Sequence, residues 1–130
     1  MDESFDTRQL PGVPDAVAPD GSDVRVLLRL RRGSMAHFEL AAGRVSRAVA
    51  HHAVDELWYI LRGHGSMWRR QGGRQETVPL EAGTCLSVPA GTHFQFRADG
   101  DGPLAAVGVT MPAWPGDGAY QVPGAWPADP

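Results

Sequence analysis

Between residues 24 and 110 the chain consists of short apolar runs separated by turns that are rich in glycine and proline. None of these runs has the length and the 3.6-residue periodicity of an amphipathic helix. The turns, among them Arg62-Gly63 and Ala82-Gly83, follow one another at the spacing of short strands. Strands are predicted at residues 24–30, 35–40, 45–50, 56–61, 66–70, 76–80, 85–88, 94–97 and 104–110. Many short strands with such turns predict an all-β sandwich or jelly-roll barrel.

The two ends of the chain differ from this central part. Residues 1–23 are acidic, contain scattered prolines and predict an irregular leader. Residues 24–112 are predicted to form the barrel as one domain. Residues 113–130 are rich in proline and glycine but also contain Trp114 and Trp126. Because linkers seldom keep two tryptophans in water, this segment is predicted to be an irregular strap that packs on the barrel or on a neighbouring subunit.

Composition excludes several classes of function. All 12 basic residues are arginine, so a lysine Schiff base or lysine nucleophile is excluded. The lone Cys85 excludes an internal disulfide and a CxxC zinc motif. The net charge of -3 comes from the leader, and the remainder is too balanced for a nucleic-acid interface. No apolar run has the length of a membrane span or a signal region, so we expect a cytoplasmic protein without membrane or nucleic-acid partners.

The strand predicted at residues 56–61 has an unusual pattern. Its side chains alternate, so Glu56, Trp58 and Ile60 share one face, and the intervening residues, which are also apolar, share the other. A strand that is apolar on both faces is usually covered on both, here by the barrel lumen and by a second layer or a partner subunit. We therefore expect a homodimer. Glu56 would lie at the mouth of the lumen, where a half-buried carboxylate indicates function.

The residues around Glu56 have the spacing of a known motif. Glu56 is followed by six residues and then Gly63, and His52 lies three residues before Glu56. In this respect the chain resembles the cupin superfamily. The first cupin motif has two histidines, separated by a single residue, ahead of such a glutamate and glycine. In that register Ala50 occupies the first histidine position, and His51 stands between the two histidine positions.

A second block resembles the second cupin motif. Gly83, Pro89 and Gly91 match it without a gap, but its histidine position is Phe94, and His93 comes one residue early. The resemblance covers roughly residues 24–110 and points to the small single-domain members of the superfamily. It implies a single jelly-roll barrel with irregular N- and C-terminal extensions.

The resemblance also implies a site inside the barrel, and two arrangements are open. In the first, one divalent metal ion (Fe, Mn, Zn or Ni) is bound by His52, Glu56 and His93, with His51 as an alternate ligand. In the second the metal has been lost, Phe94 fills the ligand pocket, and His52 and Glu56 form a hydrogen-bonded pair that acts as general acid and base. His52 and Glu56 are the predicted catalytic residues in either case.

The function predicted from the resemblance is binding of a small molecule in the barrel lumen, where Trp58, Ile60, Trp68, Phe94 and Phe96 would form the pocket. The first hypothesis is a metal-dependent enzyme of the oxygenase, isomerase or lyase type that acts on a small metabolite. The second is a metal-free enzyme, similar to cyclases or epimerases, or a non-catalytic binding protein. Fold alone does not choose between these hypotheses.

Overall fold

The computed structural model describes residues 3–129, and these residues form strands and loops only. The strands are Ala16–Val17 (β1), Asp23–Leu30 (β2), Gly33–Leu40 (β3), Val49–His51 (β4), Asp55–Arg62 (β5), Gly65–Gln71 (β6), Arg74–Leu80 (β7), Cys85–Val88 (β8), His93–Ala98 (β9), Leu104–Met111 (β10) and Ala119–Gln121 (β11). Within this described range there is no helix of the length and apolarity that a membrane crossing requires.

Two antiparallel sheets make up the barrel. One has the strand order β1-β2-β3-β10-β5-β8 and the other β11-β4-β9-β6-β7. The predicted all-β jelly roll is therefore confirmed. The strand predicted at 45–50 is shorter than expected: only Val49–His51 is a strand, and Val45 makes an isolated bridge to Arg97. Two short strands, β1 and β11, form in the segments that were expected to be irregular.

The hydrophobic core lies between the inward faces of the two sheets. Alternate residues of each strand contribute to it, as the two-residue period of a strand requires. The cluster consists of Leu40, Val49, Trp58, Ile60, Met67, Leu80, Leu86, Val88, Phe94, Phe96, Ala98, Leu104 and Ala106. Phe94 and Ile60 are almost completely buried, so the core fills one end of the barrel with large side chains.

The glycines of the two motif blocks have a structural reason. Gly63 has a φ of +87°, and a Cβ at this position would lie 2.3 Å from the Pro103 carbonyl oxygen. Gly91 has a φ of +83°, and its N–H donates to the His51 carbonyl oxygen at 2.8 Å. Only glycine adopts these conformations without strain. The spacing of the motif glycines therefore reflects turns that the barrel needs, including the turn that holds the second block against β4.

β5 has the two faces predicted for it. Glu56, Trp58 and Ile60 are buried and point into the barrel. On the outer face, however, Leu57 is 50% exposed and Tyr59 is 51% exposed. The expected second layer is thus not supplied by residues 3–129, which leave the outer face of β5 open.

The strap is held on the barrel by Gln95, an almost fully buried residue of β9. Gln95 Nε2 donates to the carbonyl oxygens of Ser46 and Trp126 at 2.9 and 2.8 Å. Its Oε1 accepts from the N–H groups of Ala125 and Trp126, both at 2.9 Å. The backbone of Gly124 approaches so closely that a Cβ there would lie 2.4 Å from Gln95 Oε1. The strap is therefore an ordered part of the fold.

We predict that Gln95→Leu lowers the free energy of unfolding by about 2–4 kcal/mol. The substitution keeps the volume but removes four hydrogen bonds and leaves the buried Ser46 carbonyl without this donor. Gln121→Leu, an exposed substitution in the same strap, is the control and should change stability by less than about 0.5 kcal/mol. Urea unfolding measures both. Equal stability of the two variants would show that Gln95 does not anchor the strap.

Candidate functional site

A cavity of about 460 Å³ opens between the larger sheet, β4 and the two ends of the chain. Its aromatic wall contains Phe38, Trp58 and Trp114. Phe38 and Trp58 stack with ring centroids 5.3 Å apart and planes only 8° from parallel. Gly108 lies opposite Trp58 in the ladder, and a Cβ there would lie 2.6 Å from the Phe38 ring. Gly108 thus leaves the space in which the stacked pair forms the wall.

Glu56 is the most constrained polar group on this wall. It is 4% exposed, and both carboxylate oxygens have partners. Oε1 is in direct contact with His51 Nε2, and Oε2 accepts a hydrogen bond from Trp58 Nε1 at 2.7 Å. Burial of a carboxylate is costly unless it is hydrogen-bonded in this way. The three side chains therefore form one connected unit.

His51 is held in place from several directions. Its ring lies 5.5 Å from that of Phe94 and 5.1 Å from that of Trp114, the latter edge to face. Its backbone pairs with Ala119 of the strap and accepts from Gly91 of the second motif block. Nε2 is engaged by Glu56, whereas the buried Nδ1 has no hydrogen-bond partner in the described part of the chain. Nδ1 is thus the ring nitrogen that Glu56 leaves unengaged.

In the structure Glu56 pairs with His51 and not, as was predicted, with His52. β4 ends at His51, which lines the cavity together with Val49, as alternation requires. The next residue therefore points outward. His52 is exposed, and its ring stacks on Tyr120 of the strap at 4.2 Å. His52 and Glu56 are not brought together.

His93 also lies apart from the pair. It is the first residue of β9 and alternates with the buried Phe94, so its side chain is on the opposite face of the sheet. It pairs with Arg70 of β6 and is absent from the cavity wall. Phe94 fills the interior beside His51 instead, as the metal-free arrangement expects.

The predicted pocket residues divide into two groups. Trp58 lines the cavity, whereas Ile60, Phe94 and Phe96 belong to the packed core. Trp68 alternates with the inward-facing Met67 and donates from Nε1 to Gln75 at 3.0 Å, so it lies on the outer side of its sheet.

The donor set does not fit a resident divalent metal ion. Such an ion needs three or four converging ligands from imidazole and carboxylate groups. Among residues 3–129 no group of three or more His, Cys, Asp or Glu side chains is placed to hold one. Only His51 and Glu56 of the predicted ligands meet, and Glu56 already has both oxygens engaged.

Residues of both chain ends complete the cavity, and the sequence reasoning missed them. Asp20 of the leader lines it together with the turn that precedes β2, and Trp114 closes it from the strap. Trp114 N–H donates to Ser34 Oγ at 2.9 Å, and Arg29 donates to the Trp114 carbonyl oxygen. The Asp20-Gly-Ser turn signal was present in the sequence, but a turn signal does not report which cavity the turn faces.

Comparisons with known proteins give the same picture of the fold. The family model of the cupin domain matches residues 36–110. No curated protein sequence matches the chain. Among solved structures, a variant of Streptomyces PAC13 with uridine is 16% identical, with a TM-score of 0.69 over 91% of this chain and 92% of that one.

Two further structures are similar. KdgF from Halomonas sp. is 15% identical over 87% of this chain and 98% of that one, with a TM-score of 0.69. The Lactobacillus farciminis oxalate decarboxylase formate complex is 18% identical over 87% of this chain but 33% of that one, with a TM-score of 0.70. At these identities the similarity shows the fold alone. Since the family model matches more than half of a chain that also has the jelly-roll topology, the protein belongs to the cupin family.

Proposed function

We propose that the cavity binds a small, uncharged and largely apolar organic molecule and that His51 and Glu56 move a proton on it without a metal. The reaction would be of the isomerase or lyase type. The observation that carries this proposal is the buried contact between His51 Nε2 and Glu56 Oε1 on the wall of the cavity. A carboxylate that orients an imidazole is a recurrent arrangement in general acid and base catalysis.

The cavity wall favours an uncharged ligand with a ring. Phe38, Trp58 and Trp114 offer three aromatic surfaces, and a volume of about 460 Å³ is within the range of small-molecule sites. An anionic ligand would place a second negative charge near the buried Glu56, at low local dielectric. A ring compound whose polar atoms are hydroxyl or carbonyl oxygens avoids that cost.

The division of roles within the pair follows from its contacts. Glu56 holds Nε2 and stabilises the imidazolium that forms when His51 accepts a proton. Nδ1 would take the proton from a carbon next to a carbonyl group, which leaves an enolate. Return of the proton to a different atom completes an isomerisation, and loss of a leaving group from the enolate completes an elimination. Trp58 fixes the carboxylate by its bond to Oε2.

The structural neighbours support the class of reaction in a general way. Pac13 is a nucleoside dehydratase and another neighbour is an oxalate decarboxylase, so proteins of this fold catalyse reactions in which a small group is lost. Identity below 20% carries no substrate to this chain. The alternative is a non-catalytic binding protein, which would use the same cavity and aromatic wall.

Proton transfer can be measured on a probe that fits the cavity. We expect the protein to accelerate deuterium exchange of the methyl protons of 2-acetylnaphthalene in D₂O, followed by NMR. His51→Ala should reduce the accelerated rate by about 100-fold or more, and Glu56→Gln by about 10-fold or more, because the base or its orienting charge is lost.

His52→Ala is the matched control for that experiment. His52 is adjacent in sequence but exposed, so its removal should leave the exchange rate unchanged. Equal losses in the variants of His51 and His52 would contradict the proposal. Binding of the ketone without any exchange would instead support the non-catalytic alternative.

Metal content separates the proposal from the metal-dependent hypothesis. We expect protein that is purified without an affinity tag or chelator to contain less than about a tenth of an equivalent of Fe, Mn, Zn or Ni, because only two donors converge among residues 3–129. Elemental analysis measures this. About one equivalent in the native protein, lost in His51→Ala, would establish a metal site and overturn the metal-free reading.

We also propose that a second copy of the chain covers the outer face of β5. Leu57 and Tyr59 are half-exposed there, next to β10 on one side and β8 on the other. A contiguous apolar sheet face is a common interface. Sedimentation should give a dimer at micromolar concentration, and Leu57→Glu should give a monomer. Val13→Glu, which changes an exposed apolar residue of the leader, should leave the dimer intact; a monomeric native protein would refute this proposal.

A further inference from the structure

Asp20 is a second buried carboxyl group in the cavity. It belongs to the turn that joins β1 to β2, is 5% exposed and lines the same cavity as His51 and Glu56. The turn is closed by the N–H of Ala18, which donates to the Ser22 carbonyl oxygen at 2.8 Å, and by Gly21 with a φ of +96°. The leader thus fixes a titratable side chain in the wall of the site.

The hydrogen bonds of Asp20 are one-sided. Ser22 N–H donates to Oδ1 at 2.9 Å, and Ser22 Oγ donates to the same oxygen at 2.6 Å. Within residues 3–129 no hydrogen bond of the protein falls on Oδ2. Oδ2 is therefore the oxygen of a nearly buried, cavity-lining carboxyl group that is left for a ligand, since the polar groups of buried residues are usually hydrogen-bonded.

We propose that Asp20 donates a hydrogen bond through Oδ2 to a carbonyl or hydroxyl oxygen of the ligand. This inference rests on the proposed function of the cavity and narrows its ligand to neutral molecules that carry such an oxygen. Asp20 then binds the oxygen while His51, fixed by Glu56, meets the carbon that exchanges its proton. A donor at the oxygen stabilises the negative charge that develops there when the proton leaves.

The surroundings of Asp20 shift its pKa in the direction that favours the protonated carboxyl group. Burial raises the pKa of Asp20 above its ordinary value of 3.8, and the nearby Glu56 raises it further, against the lowering effect of the Ser22 hydrogen bonds and of His51. The backbone N–H of Arg47 donates to the Asp20 carbonyl oxygen, and the Arg47 guanidinium lies at the Pro19 carbonyl. A protonated carboxyl can donate, as the proposal requires.

A purely structural role for Asp20 would require less of its side chain than the proposed role does. To hold the turn, the side chain needs only an acceptor at Oδ1 for the two Ser22 donors, and an asparagine supplies it equally well. The substitution Asp20→Asn therefore keeps the turn while it removes the proton equilibrium. Asp20→Leu removes the donor as well.

The first arm of the test uses melting temperature without a ligand. A raised pKa in the folded state means that the unfolded chain releases a proton that the folded chain retains, so native stability falls as the pH rises from 3.8 toward the raised value. Asp20→Asn should therefore melt a few degrees above the native protein at pH 7, with a gap that narrows on acidification.

Asp23→Asn is the matched control for this arm, since Asp23 is exposed and only three residues away. The melting temperature of Asp23→Asn should not rise above that of the native protein at pH 7. The native protein could instead have a melting temperature equal to or above that of Asp20→Asn at every pH from 4 to 7.5. That result would show that the carboxyl group is not held in its protonated form and would refute its role as a donor.

The second arm measures binding of two matched probes, 2-acetylnaphthalene and 2-ethylnaphthalene, by tryptophan fluorescence at pH 5.5. The native protein should prefer the ketone by about five- to tenfold, the worth of one hydrogen bond. Asp20→Leu should bring the preference close to one, and Asp23→Asn, the exposed control, should retain it. Asp20→Asn, whose amide also donates, should retain most of it.

The outcomes separate this inference from the function on which it rests. If Asp20→Leu keeps the ketone preference while His51→Ala abolishes proton exchange, the proposed function stands and the role of Asp20 is refuted. If neither naphthalene binds the native protein, the proposed function fails and the ligand contact of Asp20 fails with it. A preference that is lost in Asp20→Leu and kept in Asp23→Asn supports the inference.

Discussion

The burial of Glu56 is the constraint around which the rest of the site is arranged. A carboxylate that is nearly excluded from water must have partners, and here they are His51 and the indole N–H of Trp58. Each partner needs its own support. The Trp58 ring stacks on Phe38 because Gly108 leaves room for it, and His51 is held between Phe94 and Trp114. Loss of any one of these contacts would expose the Glu56 carboxylate to water or leave one of its oxygens without a partner.

The sequence was a good guide to the fold because the fold follows from short-range rules. Strand alternation correctly placed Glu56, Trp58 and Ile60 on one face, and the motif glycines proved to be turn residues such as Gly63. The same two-residue alternation separated the outward face of β5 from its inward face. What alternation did not show is that the outer face of β5 has no cover from the described part of the chain, since such a cover depends on elements distant in sequence.

The site was harder to predict because a displacement of one residue reverses the direction of a strand side chain. Counting from Glu56 and Gly63 favoured His52, whereas the end of β4 turns His51 inward and His52 outward. The spacing of a motif fixes distance along the chain, but the last paired residue of a short strand fixes direction. Asp20 and Trp114 were missed for another reason: they reach the cavity only through the docking of segments that have little periodicity of their own.

That docking has a consequence for how such a barrel diversifies. His51 and Glu56 sit on strands whose neighbours are packed core, where few substitutions are tolerated. Part of the remaining wall comes from the leader and the strap, which are joined to the barrel by the short strands β1 and β11 and by polar anchors such as Gln95. Changes of length or sequence in the leader and the strap would therefore reshape the cavity while the strands that carry His51 and Glu56 stay as they are, so the same barrel could accept ligands of different shape.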